Sequence, residues 1–230
     1  MKMSKAWSAS IFLSALTVPA MGQETGTLIQ HGAAQIDARG PNAARLVMRA
    51  FGACVASRSR GRLNKLLLLP VGSAEQVRLS KAIFDVEGDE CLSNGELRFS
   101  FALLRGSFFE AVYLQQFGRA GPVDFAGVKD SGYLARYNQP YSSEALSAIA
   151  LEQYGECVAR ANASAARALT ASIPGSSSEV EAFGLLGPSL GPCLTKGNNI
   201  QFSKTILRGV ISEGLYWLST AAPSEQRTAK

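Results

Sequence analysis

Apolar residues fall at helical spacing in two matched sets along the chain. Leu46, Phe51, Cys54 and Val55 predict a first helix over about 42–57. Its counterpart begins near Ser142-Ser143-Glu144 and carries Leu146, Ile149, Leu151, Tyr154, Cys157 and Val158. It continues through the Ala-rich run 161–171, a composition that favours helix. Pro70 and Pro174 then break the pattern. Just beyond them, Ser73 with Gln76 and Ser176 with Glu179 have the spacing of a capping box, which opens a helix. These short helices are expected to end among the glycines and acids of 85–90 and the glycines and prolines of 184–192. Leu97, Phe101, Leu104, Phe108 and Val112 predict a last helix in the first set; Ile200, Leu207, Ile211, Leu215 and Leu218 predict one in the second. No alternating apolar run flanked by hairpin turns competes with this reading, so the expected class is all-α.

The two sets are copies. Phe99, Ser100, Leu104, Arg105, Gly106, Glu110 and Tyr113 recur 103 residues later as Phe202, Ser203, Leu207, Arg208, Gly209, Glu213 and Tyr216, seven identities in 15 positions. Gly52, Cys54, Val55 and Ala56 recur at the same displacement as Gly155, Cys157, Val158 and Ala159, and Cys91-Leu92 matches Cys193-Leu194 at 102. Internal repetition of this kind sets architecture. It predicts a tandem pseudo-repeat of two three-helix units related by an approximate two-fold. The units occupy 42–117 and 142–220, with a linker over 118–141, a loose lead-in over 23–41 and a disordered tail over 221–230.

Residues 1–22 have the layout of a secretory signal: Lys2 and Lys5, a short apolar stretch from Ile11 to Val18, then the small residues Ala20 and Gly22. That stretch is shorter than the roughly 20 residues a spanning helix needs, and no long apolar segment follows it. The expected product is a periplasmic or secreted protein without a transmembrane segment. In an oxidising compartment the four cysteines predict two disulfides. The repeat selects Cys54 with Cys91 and Cys157 with Cys193, so that each copy closes its own loop, tying its first helix to the start of its third. Losing the signal lowers the formal charge only from +5 to +3, and no Lys/Arg block marks a nucleic-acid footprint.

On each last helix Gly, Glu and Tyr stand at i, i+4 and i+7: Gly106, Glu110 and Tyr113, then Gly209, Glu213 and Tyr216. A glycine inside a helix costs about 1 kcal/mol relative to alanine, so its appearance twice implies a close neighbour. Two such helices crossing at their glycines would bring Arg105 to Glu213 and Arg208 to Glu110, pairs able to form bidentate bonds. Tyr113 and Tyr216 would cover the crossing. The competing reading makes Glu110 and Glu213 a catalytic carboxylate pair facing a glycan, one as acid and the other as base or nucleophile.

Other chemistry has little to work with. The one histidine, His31, stands in the lead-in, which leaves no triad or multi-histidine metal site, and no phosphate-loop or calcium-loop pattern occurs. No cofactor is expected. Gly184–Gly191 reads as turn. Tyr133, Tyr137 and Tyr141, spaced by four in the unrepeated linker, are either packing for a short helix or a recognition surface. The sequence therefore favours an exported, non-catalytic binding or assembly module of a bacterial envelope, with an envelope protein or polysaccharide as partner, or a second copy of itself. The alternative is an envelope glycan hydrolase using Glu110 and Glu213.

Overall fold

A computed structural model describes residues 40–92, 101–122, 124–129, 132–137, 141–194 and 202–223. The expected signal over 1–22, nearly all of the expected lead-in with His31, and most of the expected tail lie outside them. So do Leu97, Phe99, Ser100 and Ile200 of the repeat pattern. Among the described residues all regular structure is helical. The elements are α1 (Ala43–Arg58), α2 (Arg60–Leu68), α3 (Ala74–Leu92), α4 (Phe101–Phe117), α5 (Ser143–Ala161), α6 (Ala163–Ala171), α7 (Ser177–Leu190) and α8 (Lys204–Ala221), with a 3₁₀ turn at Tyr133–Arg136.

Each half thus contains four α-helices where three were expected. The extra boundary falls at Ser59 in one half and Asn162 in the other, where the backbone leaves helical angles (φ −123°, ψ 37° and φ −149°, ψ 77°). The Asn162 side chain caps the new start by accepting from the Ala165 amide at 3.1 Å. The Ser59 hydroxyl instead donates to the buried Glu87 carboxylate. Ser142, Ser176 and Ser203 cap α5, α7 and α8 through their hydroxyls, each satisfying an amide that a helix start leaves unpaired.

Two stretches expected to be turns are helix. In 85–90, α3 runs on to Leu92 because Ile83, Glu87 and Cys91 share one inward stripe, while Gly88 faces open space. In 184–190, α7 continues past Pro188 because Ala182 and Leu186 are buried in the core. A proline this late removes only one closing hydrogen bond. The disulfides follow the same correction: Cys54–Cys91 joins α1 to the end of α3, and Cys157–Cys193 joins α5 to the turn after α7. They close loops of 37 and 36 residues, each contributing about 4 kcal/mol in the chain-entropy model.

The central layer runs α1, α4, α8, α5, each helix against the next. α2 and α3 cover one end of it and α6 and α7 the other. Two principal cores result. Phe51, Val55, Leu63, Leu66, Ile83, Leu104 and Phe108 fill the first; Val158, Ala166, Leu169, Leu186, Ile211 and Leu215 fill the second. α4 and α8 reach across the divide. Tyr113 of α4 belongs to the second core, and Tyr216 of α8 packs its ring on Phe109 with centroids 5.4 Å apart. Leu146, expected to face inward, is instead 53% exposed, because α5 turns Ala145, Ala148 and Ile149 toward the protein.

Candidate functional site

Five glycines, Gly52, Gly106, Gly155, Gly209 and Gly214, let the central helices touch backbone to backbone. A Cβ on Gly106 would lie 2.5 Å from the Gly209 Cα, and one on Gly209 would lie 2.8 Å from the Gly106 Cα. One layer out, a Cβ on Gly52 would meet the Ser107 carbonyl oxygen at 2.8 Å, and one on Gly155 would run into the Val210 carbonyl oxygen. Ordinary Cβ contacts are never that short, so only glycine permits these approaches. The close approach carries the polar side chains of α4 and α8 past each other.

Two arginine–glutamate pairs flank the glycine contact. Arg105 donates from Nη2 to Glu213 Oε1 at 2.7 Å and from Nε to both carboxylate oxygens at 3.1 and 3.2 Å. Arg208 grips Glu110 with both prongs, Nε to Oε2 at 2.7 Å and Nη2 to Oε1 at 2.8 Å. The four side chains are 5–8% exposed. Each arginine also caps the end of a neighbouring helix. Arg105 Nη2 reaches the Leu67 carbonyl at 3.3 Å, and Arg208 Nη2 reaches the Thr170 and Ser172 carbonyls at 3.1 and 2.7 Å.

Further residues, of which only Tyr137 was singled out as a candidate site residue from sequence, complete two networks. Around Arg105, Glu152 accepts from Nη2 at 3.3 Å, from the Tyr137 hydroxyl at 2.9 Å and from Arg136. The Arg136 guanidinium lies over the Trp217 ring, 4.4 Å from its centroid. Around Arg208, Glu179 accepts from Nη1 at 3.1 Å, from both Nη groups of Arg45, and from the Gly175 amide at 2.8 Å. Arg49 Nε stands 3.1 Å from Glu110 Oε1. The signal for two of these was present in the repeat: Arg49 and Glu152 stand 103 apart, at one equivalent position, with opposite charge. Glu179 was legible only as a capping residue, and its equivalent Gln76 is neutral.

The electrostatics differ between the networks. Burial pushes the Glu213 carboxyl up to about 6; Arg105 opposes this, while the neighbouring Glu152 charge adds to it. Burial also acts on Glu179, but hydrogen bonds from Arg45 and Gly175 and the charges of Arg45 and Arg208 outweigh it and hold its carboxyl low. Burial raises the Tyr113 hydroxyl to about 12. It also raises that of Tyr137, which hydrogen-bonds Glu152.

Tyr137 is buried, and Tyr133 and Tyr141 are half-buried against Val71, Ala145 and Ile149. Arginines of the second half pin the linker: Arg160 donates to the Phe125 and Val128 carbonyls at 2.6 and 2.7 Å, and Arg167 to Gly121 at 2.7 Å. Glu110 lines a narrow cleft of about 20 Å³ beside the crossing; Glu213 does not. Among the described residues no group of His, Cys, Asp and Glu is arranged to hold a metal ion, and no helix is long and apolar enough to cross a membrane. Comparison with known proteins gave no match to any family model, curated protein or solved structure.

Proposed function

We propose that the chain is an exported, disulfide-stabilised binding or assembly module of a bacterial envelope, and that Glu110 and Glu213 serve its architecture and not catalysis. The observation that carries this is the bidentate engagement of each carboxylate by an arginine of the opposite helix, inside the protein. A glycosidase needs a carboxyl pair flanking a sugar that enters between them. Here the cleft beside the crossing is lined by Glu110 and not by Glu213, and its 20 Å³ is about the room of one water molecule. The same reading takes the two halves as products of a doubled segment related by an approximate two-fold. Equivalent contacts support it: Gly52 over Ser107 with Gly155 over Val210, Arg105 to Leu67 with Arg208 to Thr170, and the two disulfides. Export is supported by the basic, apolar, small-residue order of 1–22 together with both disulfides.

The test compares wild type with Glu110→Gln and Glu213→Gln on purified cell-wall glycan, with folding followed by circular dichroism. The expected result is no release of reducing ends by any of the three, with lowered thermal midpoints for both variants. Glycan cleavage by wild type that disappears in folded variants would overturn the proposal in favour of the hydrolase.

A further inference from the structure

The two networks at the crossing are built alike but charged differently. Around Arg105, two arginines (Arg105, Arg136) face two glutamates (Glu152, Glu213), and among the described residues these charges balance. Around Arg208, the substitution of arginine for glutamate at the repeat-equivalent position adds Arg49, and Arg45 joins from the same helix. Arg119 lies close enough for its charge to act on Arg49. Arg45, Arg49 and Arg208 there face Glu110 and Glu179, leaving one positive charge in excess among the described residues.

This excess borders the cleft, which Arg45, Arg49, Arg208 and the Glu110 carboxylate line together with Thr205 and Ser107. Arg45 keeps a buried Nε without a hydrogen-bond partner. A buried donor left unpaired costs about 1–3 kcal/mol, which a bound acceptor would recover. Arg49 is 24% exposed, so the arginine rim meets solvent. A net guanidinium charge over the two carboxylates, an unsatisfied N–H and room for no more than one ligand oxygen fit a small acceptor-rich anion.

We propose that the mouth of this cleft between α1, α4 and α8 binds a single oxoanion head, a carboxylate or a phosphate group, with one of its oxygens entering the cleft. Arg49 and Arg45 supply the contacts at its mouth and Arg119 draws the anion in. The assignment names a ligand chemistry for the binding-module reading and rests on it. A titration of the pure chain nevertheless fails separately from the glycan assay, because it requires no catalysis.

The experiment follows arginine Nε–Hε resonances of the oxidised, purified chain during addition of sodium phosphate, then sodium acetate, at ionic strength held constant with sodium chloride. The expected result is saturable shifts at Arg45 and Arg49, with half-saturation in about the millimolar range. Arg49→Gln should raise the half-saturating concentration roughly tenfold, the loss of one charge-assisted hydrogen bond. Arg49 also contacts Glu110 and the Ser172 carbonyl, so its replacement can disturb folding. The exposed Arg119 provides the independent variant: Arg119→Gln should raise the concentration by about two- to threefold with an unchanged thermal midpoint. Tighter binding of phosphate than of acetate assigns the site to a phosphate group, and the reverse order to a carboxylate. Linear, non-saturating shifts with both anions, or shifts equally large at Arg60 and Arg62, would overturn the site. So would an Arg119→Gln response identical to wild type.

Discussion

Glycine at 106 and 209 is a requirement of packing, not of backbone angle, because the atom a side chain would meet is the facing Cα and cannot move aside. Alanine at either position should cost roughly 1–3 kcal/mol in urea unfolding, the usual range for overpacking. Gly88→Ala is the control: its Cβ would meet nothing within 4 Å inside α3, so stability should rise by about 0.4–1 kcal/mol. Equal effects at the three sites would contradict a tight crossing.

The carboxylates give a second residue-scale prediction. Glu213 has a folded pKa of about 6, above its ordinary 4.5, so its contribution is fully present below 4.5 and lost as pH rises through 6. That is about 2 kcal/mol over 1.5 pH units. Glu179 acts oppositely: its carboxyl is held below 4.5, so its contribution is present above that value and lost as pH falls further. The expected stability profile rises from pH 7 to about 5 and falls below 4. Glu213→Gln should flatten the limb between 7 and 5, and a wild-type profile already flat there would count against the buried carboxyl. The doubled spacing made the Arg–Gly–Glu–Tyr stripe visible in the sequence. It could not reveal Arg45, Arg136 or Ser172, whose partners lie 134, 16 and 36 residues away and follow no repeat.

At the scale of elements, helical class and most helix starts were legible because the caps are local: Ser73, Ser142 and Ser176 each hold an amide three residues on. Ser142→Ala should therefore lower stability by about 1 kcal/mol in thermal unfolding, and no change would mean that α5 is held by packing alone. Helix ends were less legible. Gly88 and the 184–190 stretch read as breaks from composition, yet tertiary burial of Cys91 and Leu186 outweighs the roughly 1 kcal/mol cost of a helical glycine. The Ser59 break was hidden for the opposite reason, since its partner Glu87 sits 28 residues away. The disulfides act at this scale too. Cys54→Ser with Cys91→Ser should lose about 2–4 kcal/mol relative to the oxidised parent, as should the Cys157/Cys193 double variant. A loss under 1 kcal/mol in both would mean that the native helices hold the loops closed without the bridges.

For the whole molecule, the halves are joined by side chains that each half sends into the other. Tyr113 enters the second core, and Trp217 with Tyr216 packs against the first. Arg105 and Arg208 each bind the opposite glutamate together with a helix-end carbonyl of their own half. Burying so many charges is not in itself a route to stability, but removing one partner is costly, about 3–5 kcal/mol, because the other is left unpaired. This arrangement favours one register of α4 on α8 over its neighbours. The account therefore depends on the glycine contact at the centre of that register. A nuclear Overhauser measurement between the Hα protons of Gly106 and Gly209 tests it most directly. The account predicts a strong cross-peak in the oxidised protein; its absence, with both glycines assigned and the helices intact, would contradict the crossing and the roles built on it.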